Sequence, residues 1–369
     1  MSWGEPVGMT LLLTGAAGTG RAAGVAELTK RRGNARALRE RGVERMIEVA
    51  QIESRHLAGN LLGDPSRRDL VVYLPPGYQG SRRRYPVAYL LHGFGRRSTS
   101  WIAGPLVERG AFRPSIDDVL DGVIRERGLQ EMIVVMPDGW SKWGCSQWVD
   151  SPVNGNFEQY VTQEVVDWID GHYRTIASRD GRGVFGISSG GLGAWHLGSR
   201  NPDVFGAMLL LSADSYFEVT HKPWLYRFYN AVYPSEPRGP INGNLDSWLA
   251  YGLAACYTPN TANPPFYSDL PVEFPSGILV QSLWEKWLRY DPVVSWQARS
   301  DNLRRLRAIR LDVGYHDEFD LHYGHRILSR RLADAGIAHE AVEHDGTHGS
   351  RLFERIQLSL EWFSRVLAN

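Results

Sequence analysis

A series of short runs in this chain is apolar at every position: Val71-Val72-Tyr73-Leu74, Val87-Ala88-Tyr89-Leu90-Leu91, Met132-Ile133-Val134-Val135-Met136, Val184-Phe185-Gly186-Ile187 and Ala207-Met208-Leu209-Leu210-Leu211. A strand with one face in water alternates apolar and polar residues, whereas a strand apolar throughout is covered on both faces. Ile309-Arg310-Leu311-Asp312-Val313 and His339-Glu340-Ala341-Val342-Glu343 continue the series. Between strands the period changes: Phe157, Tyr160, Val161, Val165, Trp168 and Ile169 recur at helical spacing and predict a helix over 156–173. Buried strands alternating with helices imply an α/β protein whose mostly parallel central sheet carries helices on both faces.

The alternation stops between residues 214 and 300. Aromatic residues are denser there than the 11% of the whole chain, mixed with Pro and Asn. An insertion at that point lies over the carboxyl ends of the strands, where open α/β sheets bind their ligands, and is read as an aromatic-rich cap. Residues 46–369 are thus one α/β domain with a cap-like insertion. Residues 1–45 form an N-terminal extension, flexible or helical. Within it, Gly15 and Gly20 have the spacing of a phosphate-binding loop, but Arg21-Ala22 stands where Lys and Ser/Thr are needed, so nucleotide binding is not expected.

Lys+Arg and Asp+Glu both number 41, giving no net charge and no field that favours nucleic acid. Cys145 and Cys256 are too few for a disulfide framework and are expected as free thiols. No apolar stretch reaches the length of a membrane span. The apolar piece from Met9 to Ala17 has no Lys or Arg before it, a poor signal peptide, and the expected location is cytoplasmic.

Gly186-Ile187-Ser188-Ser189-Gly190 follows one predicted strand, and Gly191-Leu192-Gly193-Ala194-Trp195 can open a helix. Gly-x-Ser-x-Gly at a strand-to-helix turn is a nucleophile elbow: the small flanking residues let a serine in strained backbone geometry project its hydroxyl into an open site. Ser188 is the candidate nucleophile, because it alone of the two serines has glycine at both second neighbours. A serine hydroxyl needs a base, and the base an orienting carboxylate. His348, in the glycine-flanked loop Gly346-Thr347-His348-Gly349 after the last strand, is the candidate base, ahead of His344. Asp317, in the loop after the Ile309 to Val313 strand, leads Glu318 and Asp320 as the acid, the bland alternative being a loop carboxylate paired with Arg326. The backbone N–H groups of Ser189 and Phe94, the latter in His92-Gly93-Phe94-Gly95, are the candidate oxyanion donors. His92 is expected to brace that loop. Trp143 and Trp148 are candidate substrate contacts, with a structural role as the alternative. His316, Asp317, Glu318, Asp320, His322 and His325 lack any defined metal-ligand spacing, and neither metal nor other cofactor is expected.

With these residues placed, the chain resembles the esterase D and feruloyl esterase-like family of α/β-hydrolases, whose relatives include S-formylglutathione hydrolases, enterochelin-type esterases and mycolyltransferases. The resemblance runs from about Arg68 to Leu367 and rests on Tyr73-Leu74-Pro75-Pro76-Gly77-Tyr78, Tyr89-Leu90-Leu91-His92-Gly93, the Gly186 to Gly190 elbow, Gly314-x-x-Asp317-Glu318-Phe319 and Gly346-x-His348. It implies the α/β-hydrolase fold and a serine carboxylesterase acting on small-molecule esters, with Ser188, Asp317 and His348 as the triad. The cysteine typical of formylglutathione hydrolases near the oxyanion loop is absent, since Arg96-Arg97-Ser98 follows Gly95. Acyl transfer and a non-catalytic binding protein of the same fold are the rival readings, and a homo-oligomer is left open.

Overall fold

In a computed structural model of the protein, residues 47–102, 116, 119–120, 130–241 and 244–368 are described. An eight-stranded sheet forms the centre. Its strands are β1 (Ile47–Glu53), β2 (Arg67–Tyr73), β3 (Val87–Leu91), β4 (Ile133–Pro137), β5 (Arg182–Ile187), β6 (Ala207–Leu211), β7 (Ala308–Gly314) and β8 (Glu340–His344). They are ordered β1-β2-β4-β3-β5-β6-β7-β8, with β2 antiparallel to both of its neighbours and the rest parallel. This mostly parallel sheet with flanking helices is the α/β-hydrolase architecture expected from the sequence.

The fully apolar runs account for the middle of the sheet: every residue of β3, β4, β5 and β6 is buried. The strand missing from the sequence reading is β1, an edge strand that alternates Ile47, Val49 and Gln51 with Glu48, Ala50 and Ile52 and is half exposed. Its stability comes from its antiparallel pairing with β2, Ile47 opposite Tyr73 through Glu53 opposite Arg67, which a local apolar count does not register. The helix expected over 156–173 begins as Phe157–Gln159, passes through a π-helical turn at Tyr160–Val165 and continues as α1 (Val166–His172). The expected extension at 1–45, with its glycine-rich string, lies outside the described residues.

Parallel registers pair Leu91 with Gly186, Ile187 with Leu211, Leu211 with Asp312, and Gly314 with His344. The carboxyl ends of β3, β5, β6, β7 and β8 therefore come level, and the residues that follow them, from His92 through Ser188 and Ser212 to the loops at 315–320 and 345–351, share one end of the sheet. That alignment builds the site.

The β6–β7 connection holds α3 (His221–Val232), α4 (Leu245–Tyr257) and α5 (Gln281–Leu288). Trp248, Phe266 and Tyr267 pack against a small cluster of Leu62, Trp143, Val153 and Ala255, but the connection's most deeply buried aromatic side chains do not form a core of their own. Phe217, Trp224, Phe228 and Trp284 belong to the same buried cluster as Leu192, Trp195 and Leu197 beside the sheet, each large side chain stabilising by roughly 1.5–3 kcal/mol through burial. Asp291, fully buried, ties the two ends of the connection: its carboxylate accepts from Tyr216 N–H (2.9 Å), Phe217 N–H (2.8 Å) and Val293 N–H (2.9 Å). Burial pushes its carboxyl up to about 6 even against those donors. Among the described residues no helix is long and apolar enough to cross a membrane. Cys145 and Cys256 are free, buried thiols.

Candidate active site

Ser188 is the single residue between β5 and α2 (Ser189–Arg200), with φ 59° and ψ −127°. A non-glycine residue held there costs of order 1–3 kcal/mol, sustained only where the surroundings over-determine the turn. They do: Ser188 N–H donates to Leu211 O and Ser188 O accepts from Leu192 N–H, both at 3.0 Å. The two glycines of the motif follow from the close approach of α2 to β3. A Cβ at Gly190 would lie 2.2 Å from Leu91 O, and one at Gly186 would lie 2.5 Å from Gly190 O. Ser188 is left half-buried at the end of the sheet.

Ser189 opens α2, so its N–H belongs to the helix N-terminus, where donors are unpaired and the helix dipole favours negative charge. Phe94 sits across from it in the loop after β3. Gly93 packs directly on the elbow, a Cβ there meeting Ser188 Cβ at 3.2 Å. The Phe94 ring fills a seat between Gly144 and Gly252, where added Cβ atoms would lie 2.3 and 3.0 Å from ring carbons. Neither the Phe94 nor the Ser189 backbone N–H has a partner among the described turn and loop hydrogen bonds. His92 braces this loop: its Nε2 accepts Gly139 N–H (2.9 Å), which leaves the proton on Nδ1, 2.9 Å from Gly93 O.

His348 and Asp317 meet. The imidazole Nδ1 lies 2.9 Å from Asp317 Oδ2, with the carboxylate side chain wholly buried and the histidine side chain 15% exposed. Burial raises the Asp317 carboxyl, but hydrogen bonds from His348, Phe319 N–H (3.0 Å) and Ser212 outweigh it and hold the group below its ordinary value. Asp317 is therefore a fixed anion that selects the tautomer with the proton on Nδ1 and leaves the Nε2 lone pair free. Phe319 stands edge-on to the imidazole, centroids 4.8 Å apart, and Glu318 Oε2 accepts His348 N–H at 2.8 Å.

The competing candidates are occupied elsewhere. Glu318 serves the backbone of His348, Asp320 is exposed at the start of α6 (Leu321–Asp334), and His344 lies 3.8 Å from Asp312. Arg326, weighed from the sequence as a partner of Asp317, instead forms a two-bond pair with Glu343, both at 2.7 Å.

Trp148, read from the sequence as a substrate contact with a structural role as the alternative, is packed inside the protein. Trp148 has no exposed surface. It is wedged where Cβ atoms at Gly139 and Gly193 would approach within 2.6 and 2.3 Å, and its indole N–H donates to His92 O at 3.3 Å. It supports the loop that follows β3. Trp143 is 7% exposed and packs against Trp248, Tyr251 and Phe266, with ring centroids 6.1–6.3 Å away.

Two charged residues at the site escaped the sequence reading. Asp214, 4% exposed, accepts from Ser189 Oγ at 2.9 Å and, in a long hydrogen bond of 3.4 Å, from Ser188 Oγ. The Ser188 hydroxyl is thus bonded to Asp214 and not to His348. Burial pushes the Asp214 carboxyl up to about 6, opposed by the serine hydroxyls and nearby His348. Arg355, 2% exposed on α7 (Leu352–Val366), gathers the loop bases: it donates to Asp312 Oδ1 (2.8 Å), Asp312 O (3.1 Å), Ser212 Oγ (3.1 Å) and His348 O (3.2 Å). The only local signals were Asp214 three residues past a strand end, and a lone Arg on a largely apolar stripe.

Compared with known proteins, residues 65–356 match the model of the Esterase family, described as "Putative esterase". An endo-1,4-beta-xylanase/feruloyl esterase of Xylanibacter ruminicola is 31% identical over 194 residues, 50% of this chain and 25% of that protein. An esterase of Mycobacterium tuberculosis is 34% identical over 132 residues, 33% of this chain and 24% of that protein. The matched part of the chain thus spans about a quarter of the length of these curated relatives. Among solved structures, a ferulic acid esterase superposes with a TM-score of 0.57 at 22% identity, covering 87% of this chain and 98% of that one. An S-formylglutathione hydrolase from Staphylococcus aureus gives 0.54 at 14% identity, covering 86% and 98%. At these identities the structural likeness speaks for the fold.

Proposed function

Because the chain belongs to the Esterase family, we propose that it is a serine carboxylesterase that hydrolyses small-molecule esters through an acyl-enzyme, with Ser188 as nucleophile, His348 as base and Asp317 as the orienting acid. The observation that carries this reading is the convergence at one end of the sheet of a serine at φ 59° and a histidine hydrogen-bonded through Nδ1 to a buried carboxylate. Ser188 Oγ turns from Asp214 to His348, attacks the ester carbonyl and gives its proton to Nε2, which passes it to the leaving alcohol. The unpartnered N–H groups of Phe94 and Ser189 receive the negative charge that develops on the carbonyl oxygen. Water, activated by the same imidazole, then releases the acid. In this reading the 214–300 insertion is the cap, and Tyr257 of α4 reaches the elbow through Gln147. No step calls for a metal or organic cofactor.

The test is a panel of 4-nitrophenyl esters with methyl ferulate added, since relatives carry the feruloyl esterase name. Turnover and labelling of Ser188 by a fluorophosphonate are expected. Ser188→Ala is expected to lose labelling entirely and turnover by about 10⁴-fold or more while melting at the wild-type temperature. Undiminished turnover in Ser188→Ala, or a folded wild type that neither turns over any ester nor is labelled, overturns the assignment.

A further inference from the structure

Asp214 is an unusual neighbour for a nucleophile that already has its acid in Asp317. Its two oxygens have separate partners: Oδ2 the Ser189 hydroxyl at 2.9 Å, Oδ1 the Ser188 hydroxyl at 3.4 Å. The carboxylate cannot easily turn away. Ser189 Oγ also accepts from Gln147 Nε2 at 3.1 Å, and Gln147 in turn accepts from Tyr257 Oη at 3.5 Å. Gln147 itself is set by backbone at φ 53°. A chain of hydrogen bonds thus runs from the insertion helix α4 to the elbow and fixes Oδ1 beside the reacting oxygen.

The reaction removes the partner of Oδ1: the Ser188 O–H first turns to His348, and acylation makes the loss complete. When the Oγ–C bond forms, the Ser188 O–H bond breaks and its proton leaves on the departing alcohol by way of His348. Oγ is then an ester oxygen with nothing to donate. Asp214 is 4% exposed, so water does not replace the lost donor freely. A buried acceptor left unpaired costs on the order of 1–3 kcal/mol, more when it is charged. The acyl group itself can restore the bond. A donor on the carbon next to the carbonyl sits three bonds from Oγ, about 3 Å through space by ordinary covalent lengths. Oδ1 lies at a similar distance from the same Oγ, so the two can meet at hydrogen-bond length.

Resting on the reading of Ser188 as nucleophile, we infer that Asp214 is a specificity-determining residue that selects acyl groups carrying a hydrogen-bond donor, hydroxyl or ammonium, on the carbon adjacent to the ester carbonyl. The preference is read as transition-state discrimination against an acyl group of the same size without the donor, which leaves Oδ1 unpaired.

The experiment compares 4-nitrophenyl propionate, lactate and alaninate, with spontaneous hydrolysis subtracted, on wild type, Asp214→Ala and Asp214→Asn. Taking each variant against wild type cancels the different intrinsic reactivities of the esters. The expected result is that Asp214→Ala lowers kcat/KM for lactate, alaninate or both at least about tenfold more than for propionate. A greater loss on lactate assigns the site to hydroxy acids, and a greater loss on alaninate, shared by Asp214→Asn, assigns it to the ammonium. Asp214→Asn keeps the shape of the side chain and serves if the alanine variant does not fold. Equal factors for all three esters overturn the inference and leave Asp214 as a brace of the elbow. In that case fluorophosphonate labelling of Ser188 in wild type shows that the nucleophile assignment stands. Absence of both labelling and turnover in folded wild type removes that assignment and the inference with it.

Discussion

The two sides of the site are held by different physics. On the elbow side, β5 and α2 are buried almost residue for residue, and Ser188 is fixed by backbone against backbone: Gly190 on Leu91 O, Gly93 on Ser188, Leu211 O on the Ser188 N–H. On the histidine side, the loop at 345–350 alternates exposed and half-buried residues, and His348 is held by side chains reaching in from elsewhere, Asp317, Glu318 and Arg355. A nucleophile must meet a carbonyl at one distance and angle, which rigid backbone contact secures. A base must hand a proton back and forth between partners, which a ring on a tethered loop allows.

The contrast is broken most directly at Gly190. Gly190→Ala puts a carbon 2.2 Å from a backbone oxygen that has nowhere to move, so the elbow itself must shift. A loss of about 3 kcal/mol or more in stability and about 10²-fold or more in turnover is expected, read by thermal melting and ester hydrolysis. Wild-type values for both would mean that the elbow is not backbone-locked.

Arg355 tests the other side. Arg355→Met leaves buried Asp312 with only the more distant Arg310 guanidinium, 3.9 Å away, expected to cost about 3 kcal/mol, and frees the His348 carbonyl. Arg355→Lys restores the charge but not the four-way reach, since an ammonium lacks the planar fork. On the tethered-loop account the lysine variant recovers most of the melting temperature while kcat stays about tenfold down, with fluorophosphonate labelling slowed in parallel. Recovery of kcat together with stability would show that Arg355 acts only on folding.

The smallest effect is one of pH. Asp214 has its carboxyl raised to about 6 from 3.8, so the folded chain binds that proton more tightly than the unfolded chain does. Its contribution to stability is present at low pH and lost as pH rises from about 4 to about 6. Asp317, held below its ordinary value, runs the other way: its contribution is present above the unfolded value and lost as pH falls through the folded one. The difference between Asp214→Asn and wild type isolates the first. The variant is expected to gain stability relative to wild type between pH 4.5 and pH 8, by an amount on the order of 2 kcal/mol, read as a rising difference in melting temperature. A pH-independent difference would mean that Asp214 is not penalised for its charge.

Much of the site was legible because its signals are local. Continuous apolar runs mark β3 through β6 whatever they pack against, and Gly-x-Ser-x-Gly marks a turn whose constraints lie within five residues. The loops holding Asp317 and His348 could be found from the strands before them. Asp214, Arg355 and the true place of Trp148 could not. Asp214 reaches Ser188 only because Ile187 pairs with Leu211. Arg355 reads as one polar position on an amphipathic helix until α7 is laid across the ends of β6 and β7. Trp148 is directed inward by positive φ at Gln147 and Trp148 itself, a choice made by packing against Gly139 and Gly193.

Sequence alone thus determined what depends on neighbours along the chain: the strands buried on both faces, the elbow, and the order in which serine, acid and histidine arrive. The tertiary structure decided what depends on register between strands and on which helix crosses their ends. It set which carboxylate meets His348, what holds the histidine loop, and that a second buried acid stands beside Ser188. The reason is one of range: backbone sterics and apolar periodicity act over a few residues, whereas the pairing of buried charges is settled only when distant segments share the same dry space.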